Sequence, residues 1–393
     1  MAPHDLRRPF KRAAISDQQR RRDLTLQRQA QGRRDAQQQA RCLASTVLSL
    51  LSQSTQPEYE PDIELEPESL PDLLPEQEES GASSKDLDVR HASKLKGAEA
   101  RKWFARQLML PEWMIDVPDC LARDWYVFAR PAGKRCFVVS SNGTTVSRQR
   151  NGSILHRFPS ALPNGAKTRD VSGPSQSYSI LDCIFHELGE TGACSPPSFY
   201  HKYRFSTVPI YNCDQSGLSS AYTGALPYVK DGLLFYNKHA HYQTGNTPLA
   251  LVWKDENCSQ YVIDTDSKGQ VPSQQQVVLE LQDDGKLITS DDPPVVFGCL
   301  DLDFIQKTGL HSGNLLRFAI SDGGLSFVDG KLEKVDLHYL GKVNRARAFP
   351  DSYSKVMFQY TVRHSPLKLD DLVASISSLD YQQSKPCDSE MSG

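Results

Sequence analysis

The sequence contains no Cys-x-x-Cys pair, and its nine cysteines (Cys42, Cys120, Cys136, Cys183, Cys194, Cys213, Cys258, Cys299 and Cys387) are scattered and odd in number. The paired-ligand spacing of structural zinc sites is therefore missing, and so is the even, clustered pattern of a secreted disulfide framework. Nowhere do roughly 18 apolar residues follow one another, so no segment reads as a helix crossing a bilayer. The first residues also lack the apolar run of a secretory leader. These absences predict a soluble protein with reduced thiols, in cytoplasm or nucleus, and neither metal nor other cofactor is expected. Aromatic residues are scarce in positions 1–56, where Phe10 stands alone, and a segment of that kind has little from which to build a core.

What the chain has instead is charge sorted by sign, hidden beneath a net charge of only −3. Positions 1–56 are rich in Arg and Gln. Ser16-Asp17-Gln18-Gln19 has the Ser-x-x-Gln form of a capping box and opens a helix. Around that helix Arg20, Arg21, Arg22, Arg28, Arg33, Arg34 and Arg41 point in nearly every direction, while Leu24 and Leu26 make no continuous stripe. A helix charged all round has no face to bury against its own domain, and Gly32 weakens it by about 1 kcal/mol relative to Ala. The segment is therefore expected to be unfolded alone and to fold upon an acidic partner. Three readings are open: a ligand for an acidic concave surface, a solvated tail, or an RNA-binding arm.

Composition then reverses. Between Pro57 and Asp88 acidic residues such as Glu58, Glu60, Asp62, Glu64, Glu76 and Glu78 alternate with Pro61, Pro67, Pro71 and Pro75, the signature of a disordered acidic linker. Folded sequence begins near Ala98. A short helix is predicted over Trp103–Met109, stopping before Pro111. Strands follow at Trp125–Ala129, Cys136–Ser140, Leu233–Tyr236, Leu249–Trp253, Tyr261–Asp264, Val277–Leu281, Val295–Phe297, Leu315–Ile320 and Val356–Val362, where β-branched and aromatic residues dominate. Asn142-Gly143 is a hairpin turn signal. The fold class expected is α+β, built on antiparallel sheets. The expected division is a basic segment over 1–56, a linker over 57–97, a binding domain over 98–270, a β-rich extension over 271–365 and a tail over 366–393, frayed after Tyr381.

Four features carry chemistry. Trp113 sits among prolines ahead of the first strand, and Trp253 ends a strand beside Lys254. Each suits either a core position or a platform for a flat base, where stacking contributes ~1–3 kcal/mol and a cationic base gains a cation–π term. Gly133-Lys134-Arg135, with Arg148, Arg150, Lys167 and Arg169, suits either phosphate binding or a merely charged hairpin. Lys230-Asp231-Gly232-Leu233-Leu234-Phe235 and Thr247-Pro248-Leu249-Ala250-Leu251-Val252-Trp253-Lys254 read as adjacent core strands.

Taken in order, three blocks resemble the snurportin family, import adaptors for small nuclear ribonucleoproteins (snRNPs) whose RNA carries a trimethylguanosine cap. The first runs from Ser16-Asp17-Gln18-Gln19-Arg20-Arg21-Arg22 to Gln38-Gln39-Ala40-Arg41-Cys42-Leu43-Ala44. The second runs from Gln107-Leu108-Met109-Leu110 through Trp113-Met114-Ile115-Asp116-Val117-Pro118 to Gly133-Lys134-Arg135. The third runs from Asp231-Gly232-Leu233-Leu234-Phe235-Tyr236 to Trp253. The resemblance implies that Trp113 and Trp253 face each other across the cap, that Lys134, Arg135 and Cys136 line the site, and that Arg150 faces phosphate. It implies importin-β as the partner of Arg20, Arg21, Arg22, Arg28, Arg33, Arg34 and Arg41. An exporter is a further expected partner, since Ile63, Leu65, Leu70, Leu73 and Leu74 loosely resemble an export signal. No membrane is expected as a partner.

The family also shares a distant likeness to the nucleotide-binding fold of mRNA guanylyltransferases, which attack GTP with the lysine of a Lys-x-Asp-Gly-x-Arg motif. The corresponding stretch is Arg130-Pro131-Ala132-Gly133-Lys134-Arg135. A guanidinium stays protonated and cannot serve as that nucleophile, and Ala132 supplies no carboxylate, so a binding module without catalysis is expected. The alternatives are a guanylyltransferase-like nucleotidyltransferase and a general RNA-binding protein. Three departures from the family stand out: Pro111 replaces a possible Ser, a Cys-Trp-Arg-Gly block is absent between Glu187 and Phe199, and residues 266–365 extend beyond the shorter relatives as additional β structure.

Overall fold

The computed structural model describes residues 18–33, 97–167, 177–186, 203–257 and, with short gaps, 263–383, together with isolated positions between 37 and 44. The acidic linker, Ser16, Asp17, Arg34, Tyr261 and the stretch from Glu187 to Lys202 lie outside the described residues. Residues 18–33 are helical and are named α1. Helix α2 (Gly97–Ala105) then leads into the β-rich body.

Some strands of that body alternate in burial and others are buried along most of their length. The strands are β1 (Met109–Trp113), β2 (Trp125–Pro131), β3 (Lys134–Ser141), β4 (Thr144–Gln149), β5 (Ile154–Phe158), β6 (Ser179–Phe185), β7 (Tyr211–Asn212), β8 (Lys230–Asn237) and β9 (Gly245–Trp253). One sheet has the order β1-β9-β8-β2-β7 and a second β5-β4-β3-β6. All pairs are antiparallel except β1 with β9. Asn142 and Gly143 close the β3–β4 hairpin with φ of 49° and 82°, the two left-handed positions that an Asn-Gly turn supplies at low cost. Pro111 is tolerated in β1 because that strand is the edge of its sheet.

Two short helices, α3 (Leu121–Asp124) and α4 (Gln215–Thr223), lie among these strands. The first sheet turns Trp125, Val127, Leu233, Phe235, Leu251 and Trp253 toward Leu218 and Ala221 of α4. A further unit contains β10 (Gln276–Leu281), β11 (Lys286–Ile288), β12 (Val296–Cys299), helix α5 (Leu302–Thr308), β13 (Leu315–Val328) and β14 (Lys331–Val343), in sheet order β12-β11-β10-β13-β14. Its core holds Val277, Leu279, Leu281, Phe297, Leu316 and Phe318. The chain closes on α6 (Tyr353–His364) and α7 (Leu369–Gln383). The body is thus α+β with predominantly antiparallel sheets, as its sequence pattern predicts.

Several local expectations are corrected. Residues 356–362 are helical, not extended: Ser352 caps α6 by accepting from the Lys355 N–H, and Val356, Met357 and Phe358 are buried, so tertiary packing outweighs the β-branched Val356, Thr361 and Val362. The expected tail from residue 366 holds α7, whose Leu372 and Ile376 enter the main core. The helix predicted over Trp103–Met109 ends at Ala105, and Met109–Trp113 is a parallel strand. Ile263 and Asp264 belong to no strand.

Candidate functional site

Successive side chains of a strand point to opposite faces, and at the end of β9 this rule decides the site. Leu251 and Trp253 share a parity and turn into the core. Trp253 is 0% exposed, and its indole N–H donates to the Leu367 carbonyl at 2.9 Å. Lys254, one step on, projects the other way. There its Nζ lies 5.5 Å from the centre of the Trp113 ring, a cation–π distance, and donates to Asp231 Oδ1 at 2.7 Å. Trp113 reaches this place because β1 runs beside β9 with Trp113 opposite Val252.

Asp231 is shared, since its second oxygen accepts from the Arg130 guanidinium. The approach of β8 to β9 depends on Gly232: its φ is +91°, and a Cβ there would lie 2.5 Å from the Trp253 carbonyl oxygen. Burial lowers the Lys254 pKa, and the ion pair with Asp231 opposes that shift. Asp264, also within electrostatic reach of Lys254, is itself paired with Lys355 at 2.7 Å. Arg130, Lys254 and Asp231 thus form one charged cluster beside a half-buried indole whose ring packs on Phe358 at 4.8 Å. An aromatic ring next to cationic side chains can stack a flat base and attract its phosphates.

The remaining expected residues fall elsewhere. Arg135 pairs with Asp182, which also accepts from the Tyr242 hydroxyl at 2.9 Å, so its guanidinium is already engaged. Cys136 is buried, and burial pushes its thiol up to about 11. Lys134 is exposed at the start of β3. Arg150 lies over Phe349, 5.1 Å from its ring centre, in the connection from β14 to α6. Arg148 is packed on Phe104 at 3.8 Å, and burial lowers it to about 10.

The expected clamp of two facing indoles is therefore corrected. Trp113 is on the candidate site and Trp253 is in the core behind it. Parity with Leu251 was the signal in the sequence that separates them. Asp231 and Lys254, read from pattern alone as parts of core strands, supply the polar half of the site.

Helix α1 is corrected as well, because it docks on its own domain. Gln18 donates to Glu112 Oε2 at 3.1 Å, and Arg21 forms a two-pronged pair with the same carboxylate at 2.7 and 3.0 Å. Arg22 is 3% exposed, with its guanidinium 5.7 Å from the Trp125 ring centre, and burial lowers it to about 10. Farther along, Gln29 exchanges hydrogen bonds with the backbone of His241 at 3.1 and 3.0 Å. Arg20, Arg28, Arg33 and Arg41 are exposed. Glu112 is itself 3% exposed, and burial raises its pKa against the pull of Arg21.

Residues 107–194 and 188–254 match the family model described as Snurportin1, m3G cap-binding domain. Among solved structures, the chain is similar to a mycobacterial DNA ligase D complexed with ATP and MES, at 13% identity over 62% of this chain and 98% of that one, with a TM-score of 0.22. The ligase domain from M. tuberculosis LigD is similar at 9% identity over 60% of this chain and 95% of that one, also with a TM-score of 0.22. At that level of superposition neither ligase bears on function.

Proposed function

We propose, from the premise that residues 107–254 are a cap-binding domain of the Snurportin1 family, that this chain carries trimethylguanosine-capped small nuclear RNA, within its snRNP, to an importer engaged by its N-terminal arginines. The observation that carries the reading is Trp113, half-buried within the matched segment and flanked by Lys254 and Phe358. Methylation at N7 makes guanine cationic, which favours an indole face. Two methyls on N2 remove its donors, so an apolar surface suits that edge better than a hydrogen-bonding one. The cations Arg130 and Lys254 beside the indole suit the triphosphate bridge. Titration with trimethylated and monomethylated cap analogues tests this: Trp113→Ala is expected to lose at least tenfold, about 1.4 kcal/mol, and unchanged affinity would refute the site.

The partner proposed for α1 is importin-β, an acidic receptor suited to guanidinium forks. Replacing Arg20, Arg21 and Arg22 together by Glu is expected to abolish importer binding while leaving cap affinity intact. The protein then shuttles between cytoplasm and nucleus, with an exporter returning it. The proposal includes no nucleotidyl transfer, because Arg130 stands where an attacking lysine is needed. Labelled GTP should leave no covalent adduct; an adduct on Lys254, the amine of the cluster, would overturn this part.

A further inference from the structure

Alternation along a strand gives each side of a sheet its own set of side chains. In the first sheet Val127, Phe235 and Leu251 lie opposite one another and fill the core. The residues between them face the other way. Phe128 lies opposite Leu234, Leu234 opposite Val252, and Val252 opposite Trp113, so one row of side chains crosses β2, β8, β9 and β1. The neighbouring row on the same face sets Tyr126 opposite Tyr236.

The two ends of this face differ. Over β1, Phe358 of α6 packs on Trp113, and Val252 is buried. Across β8 and β2 the face opens. Phe128, Leu234 and Tyr236 are half-buried, Tyr126 is 38% exposed, and none of the four enters a core of the described residues. Aromatic rings thus stand two positions apart on one strand and opposite a third on the next. Aromatic side chains set across neighbouring strands of a sheet are a surface on which unpaired bases of RNA stack.

We propose that this open face takes the single-stranded RNA that continues from the cap, with Tyr126, Phe128 and Tyr236 stacking its bases and Lys238 meeting a phosphate. The identity of the strand rests on the cap reading above. Charge on the face favours a polyanion. Lys238 Nζ lies 5.2 Å from the centre of the Tyr126 ring, and no carboxylate pairs with it among the described residues. The two carboxylates bordering the face are engaged: Asp231 by Arg130 and Lys254, and Asp124 by Arg123.

The distance also fits. Three strand spacings of about 4.8 Å separate Trp113 from Phe128, roughly 14 Å. About four stacked nucleotides span that at ~3.4 Å each. A strand whose cap is held at Trp113 therefore reaches the rings without leaving the sheet.

The test uses the full chain and four probes. They are a trimethylguanosine cap dinucleotide, a capped single strand of about ten nucleotides (long enough to cross the face), the same strand uncapped, and the capped strand made abasic beyond its first nucleotides. The capped strand should bind at least about fivefold more tightly than the dinucleotide, the gain of a single stacked base, and the abasic strand should lack that gain. Tyr126→Ala with Phe128→Ala should remove it and leave dinucleotide affinity unchanged, whereas Phe128→Tyr, which keeps a ring, should retain it. Lys238→Gln should flatten the salt dependence of strand binding by about 0.7. A gain that is absent from the start, survives the double variant or persists in the abasic strand overturns the proposal. Should the double variant unfold, Tyr126→Ala alone, at the most exposed of the rings, must cost at least about twofold. If the chain instead dimerises and the double variant is monomeric, the face belongs to a second copy and the proposal falls. If the dinucleotide fails to bind while binding of the uncapped strand still needs Tyr126 and Phe128, the cap reading fails and the strand site stands.

Discussion

Trp253 and Trp113 stand side by side at the end of one sheet and have opposite fates. Trp253→Ala should empty a volume enclosed by Leu251, Trp125 and the α7 residues Leu372 and Ile376, and it also leaves the Leu367 carbonyl without its donor. A loss of about 3–5 kcal/mol is expected, read by urea unfolding; a loss below ~1 kcal/mol would show that the ring is not a core residue. Trp113→Ala should instead leave most of the stability and remove cap affinity. The thiols make a second prediction at this scale. Burial raises Cys136 to about 11 and Cys183 and Cys213 to about 12, while an unfolded thiol titrates near ~8.5. Between those values the native state keeps protons that the unfolded chain has lost, so stability is fully present below pH ~8.5 and falls as pH rises toward 11. Calorimetry should find the Tm dropping over that window, and a rising Tm would contradict the burial. Mass-spectrometric mapping of alkylation at pH 8 should find the exposed Cys299 modified ahead of those three.

At the scale of elements, what the sequence made legible depended on whether a single local rule settled the outcome. The β3–β4 hairpin was readable because Asn142-Gly143 specifies its turn, and β2, β8 and β9 were readable because their β-rich runs are bounded by turns. Helix α6 was not, because Val356, Thr361 and Val362 favour strands locally while the cap at Ser352 and the burial of Met357 and Phe358 belong to tertiary structure. In α7, Leu369, Leu372, Val373 and Ile376 do recur at helical spacing, and all four meet the main core; polar flanks disguised them as a tail. The half of the site formed by Asp231 and Lys254 was hidden for a related reason, since lone charges inside apolar strands look like strand ends until the two strands are paired. Ending the chain after Lys368 should therefore uncover Trp253 and abolish cooperative unfolding. A truncated chain with an unchanged Tm would mean that α7 adds nothing to the core.

For the molecule as a whole, the decisive arrangement is an arginine-rich helix seated on the domain whose cargo it is proposed to import. A test for an apolar stripe misses this seat because the buried face of α1 is polar: Gln18, Arg22 and Gln29 recur at helical spacing and are held by hydrogen bonds, with the Arg22 guanidinium near the Trp125 ring. An importer that takes Arg21 and Arg22 must first withdraw them from Glu112 and Trp125, so the two engagements exclude each other. Glu112→Gln removes the charge that Arg21 pairs with but keeps an oxygen for Gln18, which weakens the seat without emptying it. Importin-β affinity of the full chain should then rise by about tenfold, equivalent to about 1.4 kcal/mol of docking energy removed, while a peptide spanning residues 1–56 binds equally before and after. Coupling between sites is reciprocal. Gln18 also bonds the Trp113 carbonyl at 3.3 Å, so if withdrawing α1 alters cap affinity, bound cap must alter importer affinity by the same factor. Equal importer affinity in the native chain and in Glu112→Gln would mean that the seat is too weak to compete and that importer and cap bind independently.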